Sequence, residues 1–292
     1  LNGKKIKLKG FNRHEMYPQV GPSVPASLWA EDLDWLQLRM HGNFIRGSHY
    51  PQDGRFLDLC DERGVLVWDE ALAWGNWMQQ LVDPLFMAAE LATGRAMLRT
   101  AMNHPSVVLW GFFNEGDSAN PNSTSSYRAM AELFHADRSR LVTWADNRLN
   151  HSLMLEFADI ISFTSYPGWY GGDASSIVHF WQTQAAWVAE NWPHKPFIIS
   201  EAGAGAVAGN HSASQARWSE EYQATVDDLT TGVAVNDSRI AGISLWQFSD
   251  IKVDQANTSS GRPGGINNKG VLTRDRQPKL SVARVAANYA RA

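Results

Sequence analysis

Short apolar runs rich in branched residues alternate along this chain with longer stretches in which apolar residues recur every three or four positions. Eight of the short runs read as strands, over 5–11, 43–46, 65–69, 107–112, 141–144, 160–163, 197–200 and 242–246. Between the first two, Trp29, Leu33, Leu36 and Met40 fall at helical spacing, and Met87, Leu91, Leu98 and Met102 repeat the pattern between the third and fourth. Each set predicts a helix that packs one face on the core. Further helices are expected over 125–137, 175–191, 214–231 and 280–290, and 56–63 reads as a helix that Gly64 stops. After the fifth strand the pattern specifies no clear helix.

Runs such as Val65-Leu66-Val67 and Ile198-Ile199 lack polar alternation, as strands covered on both faces do. Eight strand and helix units of this kind predict one α/β domain over 1–292, a (β/α)8 TIM barrel. In that architecture chemistry belongs at the carboxyl ends of the strands. Polar residues collect there: Asn12-Arg13-His14-Glu15 after the first, Arg46 and His49 after the second, Asp69-Glu70 after the third, Asn114-Glu115 after the fourth. Tyr166, Glu201 and Trp246 follow the sixth, seventh and eighth.

At 292 residues and 44% hydrophobic content, the chain can bury the core a barrel needs. A net charge of -4 supplies no basic field for nucleic acid or an anionic membrane, so the expected partner is a small or neutral substrate. Self-association into a homo-oligomer stays open. Thirteen Trp and seven Tyr suit stacking on the apolar face of a sugar, with core packing the competing use of each ring. The single Cys60 forms no internal disulfide and reads as a buried thiol. No run approaches the roughly 18 apolar residues that span a bilayer. Sequons at Asn122, Asn150, Asn210, Asn236 and Asn257 fit a secretory route, and such triplets also arise by chance. The chain opens like a strand entering from elsewhere, so upstream sequence is expected.

Strands four and seven each lead into a glutamate. Val107-Val108-Leu109-Trp110-Gly111-Phe112-Phe113 delivers Asn114-Glu115, and Phe197-Ile198-Ile199-Ser200 delivers Glu201. Hydrolysis of a glycosidic bond with retention needs one carboxylic acid to protonate the leaving oxygen and one carboxylate to attack the anomeric carbon, about 5 to 5.5 Å apart. Strands four and seven face each other across a barrel mouth, so this pair suits that task. Asn114 suits a hydrogen bond to the sugar 2-hydroxyl. The plainer use of Glu115 is as a cap for the helix that follows.

Several phrases together resemble the barrel domain of glycoside hydrolase family two, the family of β-galactosidases, β-glucuronidases and β-mannosidases. They are Leu8-Lys9-Gly10-Phe11-Asn12-Arg13-His14-Glu15, Arg46-Gly47-Ser48-His49-Tyr50-Pro51, Asn103-His104-Pro105-Ser106-Val107, Lys195-Pro196-Phe197-Ile198-Ile199-Ser200-Glu201 and Thr273-Arg274-Asp275-Arg276-Gln277-Pro278-Lys279. The resemblance implies a retaining, exo-acting β-glycosidase with Glu115 as acid/base, Glu201 as nucleophile and no cofactor in bond cleavage. It also implies Arg46, His14 and His49 around the nucleophile and the first sugar, Tyr166 against the nucleophile, and Trp246 as pocket floor. A buried ion pair for Arg46 and a hydrogen-bonded core position for either histidine are the alternatives. Members of the family usually carry β-sandwich domains before the barrel, and these are expected to be absent from this chain.

The segment 166–170 and Asn267-Asn268-Lys269-Gly270 resemble β-glucuronidases, where Asn-x-Lys binds the substrate carboxylate. An ammonium and an amide suit that anion, and a surface lysine is the alternative. Thr164 and Pro167 depart from the glucuronidase pattern, which keeps a β-galacturonidase, a β-mannosidase or a metal-independent β-galactosidase in view. The segment 68–75 lacks the Glu and His that hold magnesium in the best-known lactose-cleaving branch, so no metal is expected. A sugar-binding or weakly active isolated barrel is the reading from another class.

Overall fold

A computed structural model describes residues 1–253 and 261–292 and builds them on eight parallel strands. These are β1 (Leu8–Arg13), β2 (Phe44–Gly47), β3 (Leu66–Glu70), β4 (Val107–Gly111), β5 (Leu141–Thr143), β6 (Ile161–Thr164), β7 (Phe197–Glu201) and β8 (Ile240–Leu245). The order is β5-β4-β3-β2-β1-β8-β7-β6, with every observed strand pair parallel. At the seam between β5 and β6, Asp146 closes the ring, donating its N–H to Ser162 O at 3.0 Å and accepting from Thr164 N at 2.9 Å. The eight expected strands are all present, and the TIM barrel holds.

The crossovers carry α1 (Ala26–Asp34), α2 (Gly54–Arg63), α3 (Met78–Leu81), α4 (Pro84–Ala101), α5 (Thr124–His135), α6 (Ile177–Asn191) and α7 (Glu220–Asn236), and α8 (Ser281–Tyr289) follows the barrel. A two-residue hairpin of β9 (Ile251–Lys252) and β10 (Ile266–Asn267) stands beyond β8. Trp29, Leu33, Leu36 and Met40 are fully buried, as their spacing requires. Gly64 ends α2 in the left-handed region at φ 68°, where lack of a Cβ removes the steric penalty.

Two expectations need correction. The helix expected over 214–231 starts at Glu220, because Ser219 accepts the Tyr222 N–H and acidic residues fill the first turn; 207–217 is a loop closed by the Ala206–Trp218 bridge. In α4 the expected Met87, Leu91 and Leu98 pack half-buried against the core, but Met102 is exposed and the most buried positions are Glu90, Gly94, Met97 and Ala101, so the buried face is rotated from the stripe expected. Gly94 sets that rotation, since a Cβ there would lie 2.8 Å from Leu133 of α5. Between β5 and β6 only two short 3-10 turns form. Cys60 is buried, and Asn122, Asn150, Asn210 and Asn236 are exposed. The Asn257 sequon lies outside the described residues.

Alternation along each strand sends every second side chain into the barrel. Leu8, Phe44, Trp68, Leu109 and Ile198 form an apolar interior layer drawn from five strands. Gly111 makes room for it, because a Cβ there would sit 2.0 Å from the Trp68 indole nitrogen. One step toward the carboxyl ends the same alternation places Asn12, Arg46, Glu70 and Ser200, so the apolar layer carries a polar one.

Candidate active site

Arg46 is the hub of that polar layer. It is fully buried, its guanidinium lies 4.8 Å from the Trp68 ring, and a cation so placed is tolerable only if its donors are all engaged. They are. Nε and Nη2 donate to Glu70 at 2.7 and 3.0 Å, Nη1 to Asn12 at 2.8 Å and Glu201 at 2.7 Å, and Nη2 to Asn114 at 2.7 Å. Burial works against the arginine charge, yet Glu70 and Glu201 outweigh it and hold the guanidinium protonated. Burial would likewise raise Glu70, but Arg46 and His49 keep it ionised below its ordinary range. Asn12 is fixed in turn by donating to Ser200 O at 2.9 Å and Ser244 O at 2.7 Å.

Glu201, at the end of β7, accepts from Arg46 on one oxygen and from the Tyr166 hydroxyl on the other, each at 2.7 Å. The Tyr166 phenol stays a donor, since burial first and the charge of Glu201 second push its pKa well above the usual value. Glu115 has no comparable clamp. Burial, then the negative charge of Glu201, raises it to about 7, against the opposing pull of Arg46 and Arg148 and a hydrogen bond from Asn147. Its backbone is unusual as well: Phe113 and Glu115 adopt φ 47° and 51°, left-handed conformations that cost energy in residues with a Cβ. The Glu115 N–H donates to Ala145 O at 2.8 Å, and the Gly75 N–H to Asn114 O at 2.7 Å, so neighbouring loops hold the turn.

Both carboxylates line one cleft of about 1030 Å³ at the carboxyl ends of the strands. The structure also brings Asn114, His14, His49, Tyr166, Trp246, Asn267 and Lys269 to its wall, while Arg46 lies beneath and reaches it through its partners. Trp246 stacks on His49 with ring centroids 5.3 Å apart, and His14 meets both edge-on. Burial first, then His49 and Arg46, lower His14 to about 3, which keeps it neutral.

Lys269 is not a surface lysine. It is 2% exposed, donates to the Tyr170 hydroxyl at 2.8 Å and faces the rings of Tyr166, Trp169 and Tyr170. Burial and the nearby Arg262 lower it to about 7. Asn267 caps the same turn by accepting the Lys269 N–H at 3.3 Å. Sequence reasoning missed Glu70, Tyr170, Arg262, Asn147 and Trp74 as parts of this wall or its support. Glu70, Tyr170 and Trp74 stood inside segments already singled out, whereas Arg262 and Asn147 reach the cleft from loops that no motif marks.

Residues 1–292 match the model of the family described as "Glycosyl hydrolases family 2, TIM barrel domain". The beta-glucuronidase of Canis lupus familiaris is 32% identical over 298 residues, covering 99% of this chain and 44% of that protein. That of Mus musculus is also 32% identical over 298 residues, covering 99% and 45%. The chain therefore spans less than half the length of these curated relatives. Among solved structures, a GH2 beta-galacturonidase from Eisenbergiella tayi bound to galacturonate superposes with a TM-score of 0.94 at 34% identity, covering 100% of this chain and 52% of that one. The beta-glucuronidase of Bifidobacterium dentium complexed with coumarin-3-O-glucuronide gives 0.91 at 28% identity, covering 99% and 47%.

Proposed function

The chain belongs to the glycosyl hydrolase family 2 TIM barrel domains, and from that premise we propose that it is one catalytic barrel that hydrolyses β-glycosides with retention, β-glucuronides first. Glu115 serves as general acid and then base, and Glu201 as nucleophile. The observation that carries this reading is the contrast between two carboxylates in one cleft. Glu201 is held by a guanidinium on one oxygen and a phenol on the other, while Glu115 is raised to about 7 and keeps a proton to give.

The cycle follows from that contrast. A β-glycoside enters with its anomeric carbon over Glu201, and Glu115 protonates the departing oxygen as the carboxylate attacks. Glu115, now ionised, then takes a proton from the water that releases the sugar. Because the Asn114 carbonyl is already occupied by Arg46, its amide N–H groups are left to donate to the sugar 2-hydroxyl. His14, His49 and Trp246 form the floor beneath the ring.

Lys269 and Asn267 suit a carboxylate on that sugar, because among the described residues no carboxylate forms an ion pair with this ammonium deep in an aromatic wall. The relatives named as β-glucuronidases support a glucuronide, and the 34% identity to a β-galacturonidase supports a galacturonide as second reading.

Two measurements test this. Glu201→Gln is expected to abolish hydrolysis of an aryl β-glucuronide, and a fluorosugar that traps the intermediate is expected to label Glu201; normal turnover or labelling elsewhere overturns the nucleophile. A panel of aryl β-glucuronide, β-galacturonide, β-galactoside, β-glucoside and β-mannoside, run on wild type and Lys269→Ala, reads the sugar. Loss confined to uronides supports the carboxylate role, equal activity on a uronide refutes it, and binding without turnover across the panel refutes the enzyme.

A further inference from the structure

The strand order β5-β4-β3 puts the loops after β3 and β5 on either side of Glu115, whereas Asn267, Lys269 and Tyr170 reach the cleft from the loops after β8 and β6, which flank Glu201 on β7. The loop after β3 carries Trp74 and Trp77, which are 59% and 62% exposed. Trp74 lines the cleft that holds the half-buried Glu115, Trp77 stands three residues on, outside that lining, and two indoles left in water form an apolar feature that folding has not used.

Neither ring belongs to a loose segment. Asn114 N donates to Ala73 O at 3.1 Å, Gly75 N to Asn114 O at 2.7 Å and Asp117 N to Asn76 O at 2.9 Å, so the loop is stitched to the turn that presents Glu115. Trp74 lines the cleft, 6.3 Å from His49. Trp77 meets the Arg148 guanidinium at 5.7 Å, and Arg148 follows Asn147, the residue bonded to Glu115, on the loop after β5. A cleft of 1030 Å³ lies at the upper end of the roughly 300–1,000 Å³ that holds a drug-sized ligand, so it has room for more than one sugar ring.

The geometry points to Trp74 and Trp77 as a fixed platform for the leaving-group side of the substrate, selecting an aglycone with a flat apolar face. An aryl ring and the C–H face of a second pyranose share that chemistry. The inference rests on the proposed hydrolysis, because only an acid at Glu115 makes this end of the cleft the departing end.

The test compares kcat/KM for methyl β-glucuronide, 2-naphthyl β-glucuronide and a glucuronyl-β-linked disaccharide in wild type, Trp74→Ala, Trp77→Ala and Trp74→Phe. The naphthyl-to-methyl ratio is expected to fall about fivefold in Trp74→Ala and to recover in Trp74→Phe, because the ring face supplies the attraction. A fall for naphthyl alone assigns an aryl occupant, and a fall in the disaccharide-to-methyl ratio as well assigns the shared apolar face. Ratios unchanged in an active enzyme overturn the platform alone. A wild type that cleaves none of the three overturns the hydrolytic reading and the platform with it.

Discussion

At the residue scale the two carboxylates are separated by what surrounds them more than by what they are. Glu115 must be protonated to act as acid, and burial and the charge of Glu201 raise it to about 7, so kcat/KM is expected to fall as pH rises through about 7. Glu115→Ala should remove the part of that alkaline limb that Glu115 contributes and lower the rate on poor leaving groups by roughly 10²- to 10⁴-fold, while sparing the first step for activated aryl glycosides. Lys269 is lowered to about 7 by burial and Arg262, and it holds an anion only while protonated. A uronide should therefore show a steeper alkaline fall than a neutral glycoside that never meets Lys269. Parallel pH profiles for the two substrates would separate the groups, and identical slopes would remove Lys269 from substrate binding.

At the element scale, the turn after β10 is held from behind by α8's approach segment. Lys279 is buried and donates to Ala206 O at 2.8 Å, Asp250 Oδ1 at 2.9 Å and Asn268 O at 3.1 Å, tying the loop after β7 to the turn that carries Asn267 and Lys269. Gly270 completes the joint, since a Cβ there would lie 2.0 Å from Asp250 N. Lys279→Met strands a buried carboxylate and is expected to cost about 3–5 kcal/mol in denaturant unfolding, with partial recovery in Lys279→Met/Asp250→Asn. Motif reading had quoted Lys279 without a task for it. A motif records which residues recur together, whereas a strut between residues 206, 250, 268 and 279 exists only once the chain has closed on itself.

At the scale of the whole molecule the barrel was legible because several of its strands, covered on both faces, read as short apolar runs and all eight alternate with longer stretches. What stayed illegible came from close approach. Gly94 turns α4 against α5, Ser219 delays the start of α7, and Asp146 closes the ring where β5 spans only Leu141–Thr143. Likewise Glu70 looked like one more strand-end acid until the register of β2 against β3 set it on Arg46. The β5 to β6 seam, closed by isolated bonds and spanned by 3-10 turns instead of a helix, is expected to open most easily. Hydrogen exchange should show amides of 141–164 exchanging faster than those of β1, β2 and β8; equal protection would mean that the ring opens as one unit.

The left-handed turn at Phe113 and Glu115 bears on anyone who would move this chemistry to another scaffold. Copying Asn114-Glu115 to the end of an idealised barrel strand would carry over the amino acids and lose their aim, because a relaxed strand does not hold φ near 50° at two side-chain-bearing positions. The transferable unit is the turn together with the carbonyls of Ala73 and Ala145 that receive its N–H groups. A graft limited to strand β4 should fold and stay inert, and one that brings both flanking loops is the smallest that carries the acid's direction with it.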